Sequence, residues 1–294
     1  MTGERGGRPW AAVLGDPIQH SLSPVLHGAA YARLGLDWEY RAVRCAAADL
    51  PDIVAAARRD PAWRGFSLTM PLKETVLPLA DSIEEPAARI GAANTLLPDG
   101  HGGLVAVNTD VAGLRAALDE VAPAAVGTAV LVGAGGTARA AVAALAARVD
   151  RLTVVARSAD RARPVLELAE AVGVEARFLT WPAELPPAEL VVQTAPAGAA
   201  DGFAARWPAG AALVEALYDP WPTACAAAAA VAGLPVADGM AVLAGQAVGQ
   251  VERMTGRAVP AALLRAAGQA ALAERHARDV GPSDRSVPPP GPAA

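Results

Sequence analysis

Residues 128–140 read TAVLVGAGGTARA, a continuous apolar run that breaks at a glycine-rich turn and resumes as a small-residue helical stretch. A parallel strand covered on both faces is apolar throughout, and this run fits one. Gly133, Gly135 and Gly136 follow the strand and open the helix, with Thr137 and Ala138 behind them. In that context the glycines form a dinucleotide-binding turn. Gly133 makes the tight bend, Gly135 lets a pyrophosphate approach the backbone, and Ala138 takes the third small-residue position. The helix N-terminus adds unpaired amides and a favourable dipole for the anion. About 20 residues further on, an NAD-binding chain places an acid against the ribose 2′-hydroxyl. Here the next strand ends VVARSADR, offering Arg157, Ser158 and Arg161 and no acid before Asp160. Planar, permanently charged guanidinium groups match a 2′-phosphate, so the expected cofactor is NADP.

The fold class expected is α/β in two domains. Upstream of the turn, AAVLG at 11–15, DWEYRAVR at 37–44 and RGFSLT at 64–69 read as strands. They alternate with helices opening at Ser23-Pro24, at Asp49 and near Pro71, the first ending at Leu34 with Gly35 as its cap. A hairpin is expected where ANTLLP and LVAVNT flank the loop DGHGG, and Asp110 is expected to cap a helix reaching about Val121. Downstream, RLTVVARS, LVVQTAP and ALVEALY supply further strands, and from Gly239 the pattern is wholly helical. These features predict a first domain over residues 1–112, a Rossmann-type NADP-binding domain over 113–237, and terminal helices over 238–278. Residues 279–294 lack the apolar side chains to offset ordering entropy and read as a disordered tail.

Composition excludes several functions. The net charge is −5 and the basic residues are scattered, which argues against nucleic acid as a partner. Cys45 and Cys225 lie far apart without metal-ligand spacing and read as two reduced thiols, so no metal is expected. The N-terminus has no apolar segment of the signal-peptide kind. The uncharged run Pro220–Ala237 is dominated by Ala and interrupted by Pro and Gly, too weakly apolar for a membrane span. The expectation is a soluble, cytoplasmic protein.

Five segments recur as a set: GDPIQHSLSPVLH at 15–27, GFSLTMPLK at 65–73, IGAANT at 90–95, NTD at 108–110 and GAGGTARA at 133–140. In this order and spacing they resemble the shikimate dehydrogenases, over roughly residues 10–275. EALYDPWPT at 215–223 matches that family's Tyr-x-Pro-x-x-Thr, and residues 239–247 match its Gly-x-x-Met-Leu-x-x-Gln-Ala. The resemblance implies NADPH-dependent reduction of 3-dehydroshikimate to shikimate, with the terminal helices returning to the first domain. It implies Lys73 and Asp110 as the acid/base pair, since a positioned lysine can donate or accept a proton. It implies Ser21 and Ser23 on the substrate carboxylate, where hydroxyls meet helix amides. Thr69, Asn94, Tyr218 and Gln246 would complete the substrate site. Gly239, Ala216 and Glu85 would add cofactor contacts. Read singly, Ser23 and Asp110 also serve as helix caps.

The match has departures. Ser67 replaces Asn in the family's Gly-x-Asn-Val-Thr, Gly28 replaces Asn, Ala156 replaces Asn, Gln193 replaces Asn, Glu215 replaces Asp and Val242 replaces Met. Two further functions stay open at this point. One is a relative acting on quinate or aminoshikimate, for which Ser67 makes room. The other is a non-catalytic NADP-binding regulator, against which retention of both Lys73 and Asp110 argues. The oligomeric state, monomer or homodimer, is not written in the sequence.

Overall fold

The computed structural model describes residues 7–122, 124–181 and 184–279. They build two six-stranded sheets.

The first sheet holds β1 (Trp10–Gly15), β2 (Glu39–Arg44), β3 (Trp63–Leu68), β4 (Ser82–Ile83), β5 (Thr95–Pro98) and β6 (Leu104–Val107). Its order is β2-β1-β3-β5-β6-β4. β1 runs parallel to both neighbours, whereas β5 is antiparallel to β3 and β6. β5 and β6 form the expected hairpin. α1 (Ser23–Leu34) ends at Gly35, whose φ of 66° lets two backbone carbonyls be capped. α2 (Leu50–Arg58) buries Leu50, Val54 and Ala57 on one face. The helix expected near Pro71 is one turn, α3 (Leu72–Thr75), and α4 (Ala87–Ile90) is equally short.

Two capping expectations are corrected. Leu22, not Ser23, occupies the N-cap of α1, and Ser23 is its first helical residue. The hydroxyl of Ser21 takes the Ser23 amide at 3.3 Å, so the chain turns one residue earlier than the Ser-Pro signal suggests. α5 (Asp110–Val121) likewise has Thr109 at its N-cap and Asp110 in the first turn. Asn108 accepts the Val111 amide there, which frees the Asp110 carboxylate from capping.

The second sheet is wholly parallel: β7 (Val126–Val132), β8 (Val149–Ala156), β9 (Glu175–Thr180), β10 (Leu190–Gln193), β11 (Ala212–Glu215) and β12 (Val236–Ala237). Its order β12-β11-β10-β7-β8-β9 is the doubly wound arrangement that reverses direction between β7 and β10. α6 (Gly136–Leu145) and α7 (Ala159–Ala171) share a core with α5 on one face. α8 (Ala224–Val231) covers the other. The Ala-rich run at 220–237 therefore holds α8 and β12. No helix among the described residues is long and apolar enough to cross a membrane.

The last helices, α9 (Gly239–Thr255) and α10 (Ala261–Asp279), lie against the first sheet's side. Met240, Leu243, Ala247, Val251 and Leu264 form one core with Leu22, Leu26, Ala30 and Tyr31. α9 also crosses α5 at backbone contact. A Cβ on Gly245 would stand 2.7 Å from the Gly113 Cα, and one on Gly113 would stand 2.5 Å from the Val242 carbonyl. α10 continues through Asp279, the first residue expected in the tail, while residues 280–294 lie outside the described residues.

Candidate active site

The C-terminal ends of β1, β3 and β7 face one another across a cleft, and the chemistry-bearing side chains collect there. Lys73, in the turn of α3 that directly follows β3, donates to Asp110 Oδ2 at 2.7 Å and to Thr137 Oγ1 at 3.3 Å. The pair is largely removed from water, with side-chain exposures of 15% and 4%. Such a pair persists only when its remaining lone pairs are satisfied. Asn94 Nδ2 supplies this, lying 2.9 Å from Asp110 Oδ1, 2.9 Å from Thr109 Oγ1 and 3.0 Å from Gln246 Oε1.

Two cavities meet at Lys73. One, of about 400 Å³, is lined by the Gly133–Thr137 turn, Ala156, Arg157, Arg161 and Trp181. The other, of about 310 Å³, is lined by Ser21, Ser23, Ser67, Asp110, Tyr218 and Gln246. Thr69, Lys73, Thr137, Thr194 and Leu217 line both. The glycine-rich turn at the larger cavity has the backbone form of an anion-binding turn. Gly133 has φ 119°, and a Cβ there would stand 2.4 Å from Thr194 Oγ1, so the turn requires glycine. Gly135 caps α6 with open space over its Cα, leaving the helix amides accessible. Neither Arg157 nor Arg161 is paired with a carboxylate among the described residues, and both side chains are exposed.

Several expected residues stand elsewhere than expected. Ala216 and Gly239 line the smaller cavity rather than the larger. Asn94 is 1% exposed and stands behind the wall, holding Asp110 and Gln246. Ala138 is fully buried in α6. The Ser158 hydroxyl caps α7 by accepting the Arg161 amide, away from the cavity lining. Glu85 is exposed and paired with Arg89 at 3.6 Å, on neither wall.

Sequence reasoning missed Gln250, Thr194, Leu217 and Trp181. Gln250 was within reach, because it follows Gln246 by one helical turn and so shares its face. Thr194 and Trp181 sit just past the ends of β10 and β9, at the strand edge where doubly wound sheets bind ligands.

Glu215, at the end of β11, is fully buried. Its carboxylate accepts from the Leu217 amide at 3.1 Å and the Thr223 hydroxyl at 2.8 Å, tying both ends of the loop that carries Tyr218. Burial lifts this carboxyl to about 7, opposed by those two donors and reinforced by Asp201. Burial also raises the Tyr218 phenol. Among the described residues no group of three or more His, Cys, Asp and Glu side chains could hold a metal.

Comparison with known proteins places this architecture. Residues 13–96 match the family model described as the shikimate dehydrogenase substrate binding domain. The shikimate dehydrogenase (NADP(+)) of Sphingopyxis alaskensis is 36% identical over 262 residues, covering 86% of this chain and 93% of its relative. The crystal structure of Mycobacterium tuberculosis shikimate dehydrogenase superposes with a TM-score of 0.81 at 44% identity, over 89% of this chain and 99% of the other. That of the Thermus thermophilus enzyme in complex with NADP(H) and shikimate gives 0.77 at 33% identity, over 90% and 100%. With this identity sustained over nearly all of both chains, the protein belongs to the shikimate dehydrogenase family.

Proposed function

We propose that the protein is an NADP-dependent shikimate dehydrogenase, catalysing the reversible reduction of 3-dehydroshikimate to shikimate. The observation that carries this reading is the position of Lys73, which lines both cavities at once and is bonded to Asp110 and Thr137. NADPH supplies the hydride when bound. The Gly133–Thr137 turn would hold its pyrophosphate, and Arg157 and Arg161 its 2′-phosphate.

In the smaller cavity Ser21 and Ser23 bind the substrate carboxylate through hydroxyls at the start of α1. This fixes the ring with its ketone toward Lys73. As the carbonyl carbon accepts hydride, the carbonyl electron pair moves onto oxygen, and the Lys73 ammonium gives that oxygen its proton. Asp110 keeps the lysine placed for this step, and Asn94 keeps Asp110 placed. Thr69, Tyr218 and Gln246 orient the substrate hydroxyls.

The test is steady-state turnover by the purified protein of shikimate, quinate and aminoshikimate, each with NADP and with NAD. The expected result is fastest turnover, judged by kcat/KM, for shikimate with NADP. Faster turnover of quinate, or no turnover of any of the three, would overturn the reading.

A further inference from the structure

The wall of the substrate cavity contains a hydroxyl whose orientation is set from outside the cavity. β1 lies between β2 and β3, with Ala11 opposite Tyr40 and Val13 opposite Ser67. Alternation along β1 puts all four side chains on one face of the sheet. Ala11 is fully buried and small, so the Tyr40 ring packs over it and reaches across β1. Its hydroxyl donates to Ser67 Oγ at 2.6 Å.

The ring that delivers this hydroxyl is immobilised. The His27 imidazole stacks on it, with centroids 3.9 Å apart and planes 16° from parallel. His27 is fully buried, and Nε2 lies 3.3 Å from Gln250 Oε1. Gln250 spends its amide nitrogen on the Asn94 carbonyl and the Thr95 hydroxyl. Its oxygen therefore faces His27 as an acceptor, and the imidazole must carry its proton on Nε2. One stacked pair thus braces two wall residues, Ser67 through Tyr40 and Gln250 through His27.

Ser67 is 3% exposed and lines the cavity. Its oxygen accepts from Tyr40, and its own proton has no acceptor among the described residues. A hydroxyl that already accepts one bond is a better donor for the next. We propose that Ser67, oriented by Tyr40, is a substrate-binding donor that gives its hydrogen bond to an oxygen of the hydroxylated ring acid, with Tyr40 as the positioning residue. This inference rests on the shikimate reading of the same cavity.

The experiment measures KM and kcat for shikimate, with thermal midpoints, in Ser67→Ala, Tyr40→Phe and the double variant. Wild-type turnover of shikimate is read first, and its failure would sink the functional reading independently of this one. Ser67→Ala should raise KM about tenfold, the size of one hydrogen bond to a polar ligand oxygen, with kcat within about twofold. Tyr40→Phe should raise KM by a smaller factor in the same direction. The double variant should match Ser67→Ala alone, because Tyr40 acts through Ser67. An unchanged KM in Ser67→Ala overturns the assignment of Ser67. A Tyr40→Phe effect as large on the Ser67→Ala background as on wild type overturns the assignment of Tyr40.

Discussion

Lys73 is bonded to Thr137 across the cleft, so the proposed proton donor touches the glycine-rich turn of the other sheet at 3.3 Å. The residue proposed to handle the substrate oxygen is therefore registered directly against the turn proposed to hold the nucleotide. Replacing Lys73 by Ala should lower kcat by about 10²–10⁴-fold, the usual contribution of a positioned acid/base, with little change in shikimate affinity. Single-turnover reduction measured beside equilibrium shikimate binding separates the two. A variant with near-normal kcat would falsify the assignment.

Ser21 and Ser23 should both raise KM for shikimate when replaced by Ala, each through loss of a charge-assisted hydrogen bond of about 1.5–3 kcal/mol. Their stability effects should differ. Ser21 holds the Ser23 amide, whereas the Ser23 side chain caps nothing. Thermal unfolding should therefore register Ser21→Ala by up to about 1 kcal/mol and Ser23→Ala by less. The reverse order would mean that the hydroxyl of Ser23, not that of Ser21, secures the start of α1.

Arg157 and Arg161 should set the preference for NADP. Replacing either by Ala should cut the NADP/NAD ratio of kcat/KM by roughly tenfold, the lower end for a charge-assisted contact, because both side chains are exposed. Affinity for NADP should also fall as salt is added, since exposed charges are screened over about 10 Å at 0.1 M. An unchanged ratio in both variants would remove the arginines from 2′-phosphate recognition.

Glu215 should make stability depend on pH. In the unfolded chain its carboxyl returns to the ordinary 4.5, whereas in the fold it holds its proton up to about 7. Between those values unfolding releases a proton, so this contribution falls as pH rises and is fully lost above about 7. His27 acts with the opposite sign. Burial lowers it to about 4 in the fold, so its contribution is lost as pH falls from 6.5 toward 4. The difference between Glu215→Gln and wild type isolates the carboxyl. Relative to wild type, the glutamine variant should gain stability from about pH 4.5 to about pH 7 and no further above it, by at most a few kcal/mol at about 1.4 kcal/mol per unit. Denaturant midpoints across that range measure it, and a flat difference would show that the carboxyl is ionised throughout.

Local chemistry explains which features were legible in the sequence. The turn at Gly133–Ala138 and the guanidinium pair at Arg157 and Arg161 lie within single strand–turn–helix units, so spacing alone exposes them. The contact between Lys73 and Asp110 does not follow from spacing, because it depends on how β3 and α5 are brought together. Tyr40 was hidden for the same reason. Its partner Ser67 lies two strands away, and the bond reaches across β1, where the small Ala11 stands opposite Tyr40. α8 was obscured by its own sequence, since an Ala-rich run set between prolines carries no helical periodicity.

The return of α9 and α10 to α1 has a consequence for synthesis on the ribosome. Leu22, Leu26 and Tyr31 emerge long before the side chains that cover them, from Met240 to Leu264. The parallel sheet, by contrast, is complete once Ala237 has emerged. Domains generally fold as units while the chain grows, and a contact cannot form before both partners exist. The parallel-sheet half is therefore able to fold first, and the half that precedes it in the chain is the later one to bury its apolar surface.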